Sequence, residues 1–398
     1  MTDATRAADG RPARTPPPPI PLTVLTGFLG AGKTSLLNRL LAAPELSDTL
    51  VLINEFGEIG LDHLFIESVD GDMIEMSSGC VCCTIRGELV GTLEDLLRRR
   101  DNGRIKPFRR VILETTGLAD PAPVLHTIMY HPYLTLRYRL DGVVALVDAV
   151  NGEATLDAHE EAVKQAAVAD RIVLSKTDLP EGAARAPALS GRLRRLNPGA
   201  RLLDAASGEA TAAALLDCGL YDPAGKTPRV REWLNAEAVA AAQSARHANG
   251  HGSGHEHSHD HHHDHVHDVN RHDDRIRAFC LASETALTPA TFDIFLDLLR
   301  HTHGPRLLRV KGIVALTDDA ERPVVIHGVQ HLFHPPHRLA TWPDADRRTR
   351  IVFIVKDLDE KFVAGLYQAL AGAPAPDQPD AAALRDNPLA PKSAGLLG

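Results

Sequence analysis

One eight-residue run limits the fold of this chain more than any other feature. Gly27-Phe28-Leu29-Gly30-Ala31-Gly32-Lys33-Thr34 satisfies G-x-x-x-x-G-K-[ST] at every defined position. Such a run must leave a strand, turn tightly so that successive N–H groups point inward, and open a helix. Gly27, Gly30 and Gly32, with Ala31 among them, permit that close backbone approach. The positive end of the helix dipole then faces the same point. Residues 22–26 (LTVLT) supply the apolar strand, and Leu36, Leu37, Leu40 and Leu41 supply the helix. The chemistry that fits is a nucleotide phosphate chain. Lys33 would bridge the terminal phosphates, the Thr34 hydroxyl would coordinate Mg²⁺, and Ser35 would complete the phosphate-facing first turn.

Further near-continuous apolar runs at 49–53, 111–113, 142–147 and 171–174 suit parallel strands buried on both faces. Helical patterns such as Leu89, Leu93, Leu96 and Leu97 lie between some of them, so residues 21–215 predict an α/β domain with a mostly parallel sheet. Ligands bind at the carboxyl ends of strands in such sheets. Residues 111–113 run into Glu114-Thr115-Thr116-Gly117, where an acid holds the Mg²⁺ shell or orients an attacking water. Residues 172–174 run into Ser175-Lys176-Thr177-Asp178, similar to N-K-x-D with Ser in the Asn position. The Asp178 carboxylate would accept hydrogen bonds from guanine N1 and its exocyclic amine, an edge that adenine does not offer. GTP is therefore expected over ATP. Asp148 also ends a run and reads as a loop cap.

At 398 residues, 44% apolar and 24% charged, the chain has room for two cored domains plus tails. A polar, His-rich stretch at 247–272 cannot build a core and must separate them. The expected order is a disordered Pro-rich tail (1–20), the nucleotide domain (21–215), a linker (216–274) with an Ala-rich helix over 231–247, a smaller α+β domain (275–372) and a flexible tail (373–398). In the second domain, 275–282, 307–316, 323–333 and 350–356 read as strands and 289–300 and 359–371 as helices, which implies a mostly antiparallel sheet. No apolar run approaches the roughly 18 residues of a membrane span. A net charge of -9 without a basic block disfavours nucleic acid. The first residues hold no apolar stretch of the secretory kind, so a reducing cytoplasm is expected.

Three of the five cysteines, Cys80, Cys82 and Cys83, fall within four residues. Thiolates this close select a thiophilic ion, Zn²⁺, Cu⁺ or similar, with Co²⁺ or Ni²⁺ as further alternatives. In an extended segment Cys83 points away from the other two, so a turn at Gly79 is needed before all three converge. Cys218 and Cys280 stand alone and read as core. Eleven of the 21 histidines lie between His247 and His272, a loose metal sink or delivery arm, or a plain hydrophilic linker. His301, His303, His327, His331, His334 and His337 read individually as surface or core residues.

Taken together, TVLTGFLGAGKTSLLNRLL, VLINEFGEIGLDHL, GCVCC, VILETTGLADP and SKTD resemble the CobW-like metallochaperone GTPases, relatives of the UreG and HypB nickel-insertion GTPases. IHGVQHLFHPP and the following WP resemble that family's C-terminal module. The resemblance implies a P-loop NTPase domain whose CxCC motif, here Cys80, Cys82 and Cys83, binds metal. It places Glu55-Phe56-Gly57-Glu58 and Asp62 in the first switch, with Asp62 near Mg²⁺, and Glu114 in the place of the Walker-B Asp. Ser175 departs from the family's commoner Asn.

The function expected is a metal chaperone with slow GTPase activity that delivers zinc to a client metalloprotein. GTP and Mg²⁺ would order 54–62 and the cysteine motif, and hydrolysis would relax them. A metal buffer or sensor with a structural nucleotide site is a second class, and an ATP-using kinase or ATPase a third. Cobalt handling for cobalamin synthesis is another role known in such a family. The sequence leaves a homodimer open and does not name the client.

Overall fold

The apolar runs become strands that bury both faces, and the sheet they form sets where the ligand groups go. The computed structural model describes residues 17–53, 73–75, 84–216, 218, 234, 239 and 275–372. Its first sheet has seven strands in the order β3-β2-β4-β1-β5-β6-β7. These are β1 (Ile20–Gly27), β2 (Thr49–Ile53), β3 (Met73–Glu75), β4 (Arg110–Glu114), β5 (Tyr138–Asp148), β6 (Arg171–Ser175) and β7 (Arg201–Asp204), and every pairing is parallel. The five central strands coincide with the expected runs. β3 and β7, the two edges, were not anticipated: short strands at an edge need no two-faced apolar run.

Helices α1 (Lys33–Leu41), α2 (Thr84–Asp101), α3 (Ala122–Tyr130), α4 (Leu134–Arg137), α5 (Gly152–Ala158), α6 (Glu160–Val168), α7 (Pro180–Leu196) and α8 (Ala212–Leu215) complete this half. Alternation along each strand divides the core in two. Leu22, Val24, Leu52 and Leu113 join Leu89, Leu93, Leu96 and Leu97 of α2 on one face. Leu25, Val51, Ile112 and Val144 join Leu36, Leu37 and Leu40 of α1 on the other. Each side chain buried this way contributes about 1.5–3 kcal/mol.

The second sheet is antiparallel, in the order β11-β10-β9-β13-β8 with β12 beside β10. Its strands are β8 (Ile276–Ser283), β9 (Leu307–Val314), β10 (Val324–Val329), β11 (Leu332–Phe333), β12 (His337–Arg338) and β13 (Thr349–Lys356). The expected strand over 323–333 is instead a hairpin. Gln330 takes a left-handed φ of 54°, and Val329 pairs back onto Leu332. One face of this sheet, with Phe279, Val310 and Phe353, carries α9 (Pro289–His303) and α10 (Glu360–Leu370). The other face, with Ala278, Leu308, Val352 and Ile354, packs on Ala162, Ala166, Leu189 and Leu193 of α6 and α7.

Two buried carboxylates mark the amino ends of the parallel strands. Asp141 fills the bulge where β5 slips against β1, and accepts from Thr23 (3.0 Å) and Arg110 (2.9 Å). Asp170, 2% exposed, accepts from the Val143 amide at 2.9 Å, from Arg309 Nη2 at 3.0 Å and from Lys311 Nζ of the second sheet. Burial alone would raise the Asp170 carboxyl, but Arg309 and Lys311 beside it hold it well below the usual carboxylate range. No helix among the described residues is long and apolar enough to cross a membrane. The His-rich stretch and both tails' outer residues lie outside the described residues. Of the expected helix over 231–247, only Leu234 and Val239 are described, both helical and buried.

Candidate functional site

At the carboxyl ends of the same strands the glycine-rich run makes the turn that its composition demands. Gly27 has φ 141°, and a Cβ there would lie 2.5 Å from the Leu146 carbonyl oxygen, so only glycine lets β1 pass β5 at this point. Gly30 (φ 71°) and Gly32 (φ 90°) take left-handed conformations. Gly32 is the N-cap of α1 and supplies no side-chain cap, which leaves the first-turn N–H groups for an outside acceptor. Lys33, nearly buried, folds back over the loop, where Nζ donates to the carbonyls of Gly27 (3.0 Å) and Phe28 (3.3 Å). Ser35 is exposed on the first turn of α1.

Thr34 and Glu114, eighty residues apart in sequence, meet below the loop. The Thr34 hydroxyl donates to Glu114 Oε1 at 3.3 Å, and Glu114 is 1% exposed at the end of β4. Thr115 continues the path, its amide on the Leu25 carbonyl and its hydroxyl on Thr26 Oγ1 at 2.9 Å. The next residues press on the glycine loop itself. A Cβ on Gly117 would fall 2.6 Å from the Leu29 amide nitrogen, so a larger residue there would displace backbone.

The Ser175-Lys176-Thr177-Asp178 segment adjoins the loop from β6. Ser175 is nearly buried, and its hydroxyl donates to the Ala31 carbonyl at 2.7 Å. The serine that departs from the N-K-x-D pattern thus ties β6 to the glycine loop. Lys176 sits at φ 60° and pairs with Asp148 at 2.7 Å. Its carbonyl leaves no space for a Cβ at Gly182 in α7. Asp148 is the loop cap expected, accepting from the Val150 amide and Asn151 Nδ2, and the pair with Lys176 adds to that role. Burial works to raise its carboxyl, but the hydrogen bonds from Lys176, Asn151 and Val150 hold it below the ordinary value. Asp178 is exposed on the turn before α7. A cavity of about 230 Å³ opens between the glycine loop, the end of β5 and helices α5 and α6, lined by Phe28, Ala31, Asp148, Gln165 and Lys176 among others.

The remaining site residues read from sequence, Asp62 and Cys80, Cys82 and Cys83, lie outside the described residues. Among the described residues no group of three His, Cys, Asp or Glu could hold a metal ion, and His301, His303, His327, His331, His334 and His337 are in none. Cys218 is core, and burial pushes its thiol up to about 12. Cys280 is half-buried, and burial pushes its thiol up to about 11.

Two residues at the site escaped sequence reasoning. Gln165 of α6, 1% exposed, donates to the carbonyls of Gly117 (3.1 Å) and Ala119 (3.0 Å). Its signal was one uncharged polar residue beside Lys164 in Val163-Lys164-Gln165-Ala166-Ala167-Val168, easily passed over in an amphipathic helix. His159, the N-cap of α6, stacks on Phe28 of the glycine loop with ring centroids 4.3 Å apart.

Comparison with known proteins agrees with this arrangement over both sheets. Residues 21–204 match the CobW/HypB/UreG nucleotide-binding domain, and residues 276–371 match the cobalamin synthesis protein cobW C-terminal domain. The zinc chaperone YjiA of Escherichia coli is 30% identical over 352 residues, covering 88% of this chain and 99% of that protein. The zinc chaperone CobW of Pseudomonas aeruginosa is 30% identical over 400 residues, covering 92% and 96%. The crystal structure of the Zn(II)-bound YjiA GTPase from E. coli superposes with a TM-score of 0.60 at 27% identity, covering 89% of this chain and 99% of that one. With a P-loop fold at its amino-terminal half, the matching second domain and full-length relatives at this level of identity, the chain belongs to the CobW family.

Proposed function

We propose that this chain is a GTP-hydrolysing metal chaperone of the cytoplasm that binds zinc through Cys80, Cys82 and Cys83 and passes it to a client metalloprotein. The observation that carries the reading is the meeting of Thr34 and Glu114 at 3.3 Å directly below the P-loop. A hydroxyl and a carboxylate at that spacing are the hard oxygen donors that suit Mg²⁺, which would neutralise charge on the β- and γ-phosphates. Lys33 and the first-turn amides of α1 then face the same phosphates. Water attacks the γ-phosphorus as its bond to the β–γ bridging oxygen breaks; that oxygen leaves with GDP, the water's oxygen stays on the inorganic phosphate, and the surplus proton passes to solvent. Glu114 would orient that water or hold the ion's shell, and Asp62 of the switch segment would add a further oxygen donor. Asp178 would select guanine by its N1 and amine donors, and Lys176, held by Asp148, would lie beside the base.

Zinc enters as cargo. The cysteine triplet supplies soft thiolates, and both full-length relatives are named zinc chaperones. Because each cysteine thiol must lose its proton to bind as a thiolate, zinc affinity falls as pH drops. The test is direct. Purified chain should release phosphate from GTP and not from ATP, and should retain one tightly bound zinc that a Cys80→Ser/Cys82→Ser/Cys83→Ser variant loses. Equal use of ATP, or unchanged zinc in the triple variant, would sink the reading. The eleven histidines of 247–272 favour a second reading, a metal buffer. Deleting that stretch separates the two: a buffer loses most of its zinc capacity, whereas a chaperone keeps the tight cysteine site.

A further inference from the structure

Helix α6 touches three parts of the molecule. Its N-cap His159 stacks on Phe28 of the P-loop. Gln165, from within the helix, grips the carbonyls of Gly117 and Ala119, the segment that follows Glu114 and presses on Leu29. Lys164 adds an ion pair to Asp120 at 3.3 Å. From its other side α6 meets the C-terminal sheet: Lys356 of β13 pairs with Glu160 at 2.6 Å, and Ala162 and Ala166 pack with Leu308, Val352 and Ile354. A buried amide that donates twice to one loop fixes that loop's distance from the helix. The loop can move as a unit only if α6 moves or both hydrogen bonds break.

We propose that Gln165 is a positioning residue for GTP hydrolysis, and that through α6 the docking of the C-terminal domain sets how the Gly117–Ala119 segment meets the γ-phosphate. This rests on the GTPase reading above and deepens it. The GDP-bound chain has no γ-phosphate for the segment to meet, so the device acts on turnover and on GTP preference, not on nucleotide affinity in general. Lys356 pairs with Glu160 of α6, so a change at Lys356 reaches the site through the helix.

The experiment uses the full chain with Gln165→Met, which keeps the volume but has no donor, and Lys356→Met, which breaks the contact between domains. Three readouts are taken: steady-state GTP hydrolysis, affinity for fluorescent GDP and for a non-hydrolysable GTP analogue, and amide hydrogen exchange over 115–121 without nucleotide. Expected for Gln165→Met are a fall in kcat of about tenfold or more, a GDP affinity within about twofold, and a weaker hold on the GTP analogue, hence a smaller preference for it over GDP. For Lys356→Met a fall in kcat of about threefold is expected with GDP affinity unchanged. Exchange over 115–121 should rise in both. A folded Gln165→Met with unchanged kcat overturns the proposal, as does equal weakening of GDP and the GTP analogue. If Gln165→Met does not fold, Lys356→Met decides, and an unchanged kcat and exchange there overturn it. If the parent chain itself turns over no GTP, the GTPase reading fails, while the exchange rates still decide whether α6 holds the segment.

Discussion

The two ends of the parallel sheet use polar side chains in opposite ways. At the amino ends, Asp141 and Asp170 are almost wholly buried and each faces matched donors: Thr23 and Arg110 for one, Arg309, Lys311 and the Val143 amide for the other. The C-terminal sheet supplies two of those cations and closes the site. At the carboxyl ends, Lys33, Ser175 and Gln165 spend their hydrogen bonds on loop carbonyls, and Leu29 is 57% exposed at the tip of the turn. One end is a closed set of charges that a ligand cannot enter. The other holds loop backbone in a chosen shape and leaves donors facing out. Polar burial therefore points to function only where side chains are arranged around a backbone surface that stays open.

Substitutions at either end should give different kinds of loss, and the largest is expected at the closed end. Asp170→Asn leaves two buried cations against each other and should destabilise the fold by about 3–5 kcal/mol in denaturant melts. Nucleotide affinity measured under native conditions should hardly change. The same pair should appear in acid. The folded Asp170 carboxyl is held below its unfolded value of about 3.9, so its stabilisation is full above roughly pH 5 and is lost as pH falls below that. Asp170→Asn should therefore flatten the acid limb of stability against pH. A variant with the parent's acid limb would place that pH dependence elsewhere.

At the open end Lys33→Ala should cost about 10²–10³ in GTP turnover, equivalent to about 2.7–4 kcal/mol, with little change in melting. If melting falls as far as with Asp170→Asn, the contrast between the ends is wrong. Gly117→Ala must push the Leu29 backbone, and about 1–3 kcal/mol of strain should appear as weaker GTP binding. Ser175→Ala, which removes one hydrogen bond from the loop, should weaken nucleotide binding by about 0.5–1.5 kcal/mol, the smallest of these effects.

How much of this could be read in advance follows from where the physics is local. The P-loop was legible because eight consecutive residues carry all the backbone demands of the turn. The five central strands were legible because burial on both faces needs unbroken apolar runs. β7 was not, since Arg201-Leu202-Leu203-Asp204 has only two apolar residues and sits at an edge. The hairpin at Gln330 was missed because glutamine is not a residue that announces a left-handed φ. Ser175 looked like a defect in a base-recognition motif, since its partner Ala31 lies 144 residues away. Asp170 and Gln165 were invisible for the same reason: their meaning comes from Arg309, Lys311 and Gly117, brought close only by the fold.

The central claim is that nucleotide and zinc share one switch. The most direct measurement is the zinc affinity of the full chain, taken by competition with a chelating dye, once with GDP and once with a non-hydrolysable GTP analogue, both with Mg²⁺. A shared switch predicts affinities that differ by about 5–150-fold, with the same factor separating GTP-analogue affinities measured with and without zinc. Equal zinc affinities in the two nucleotide states would contradict it and leave two independent binding sites on one chain.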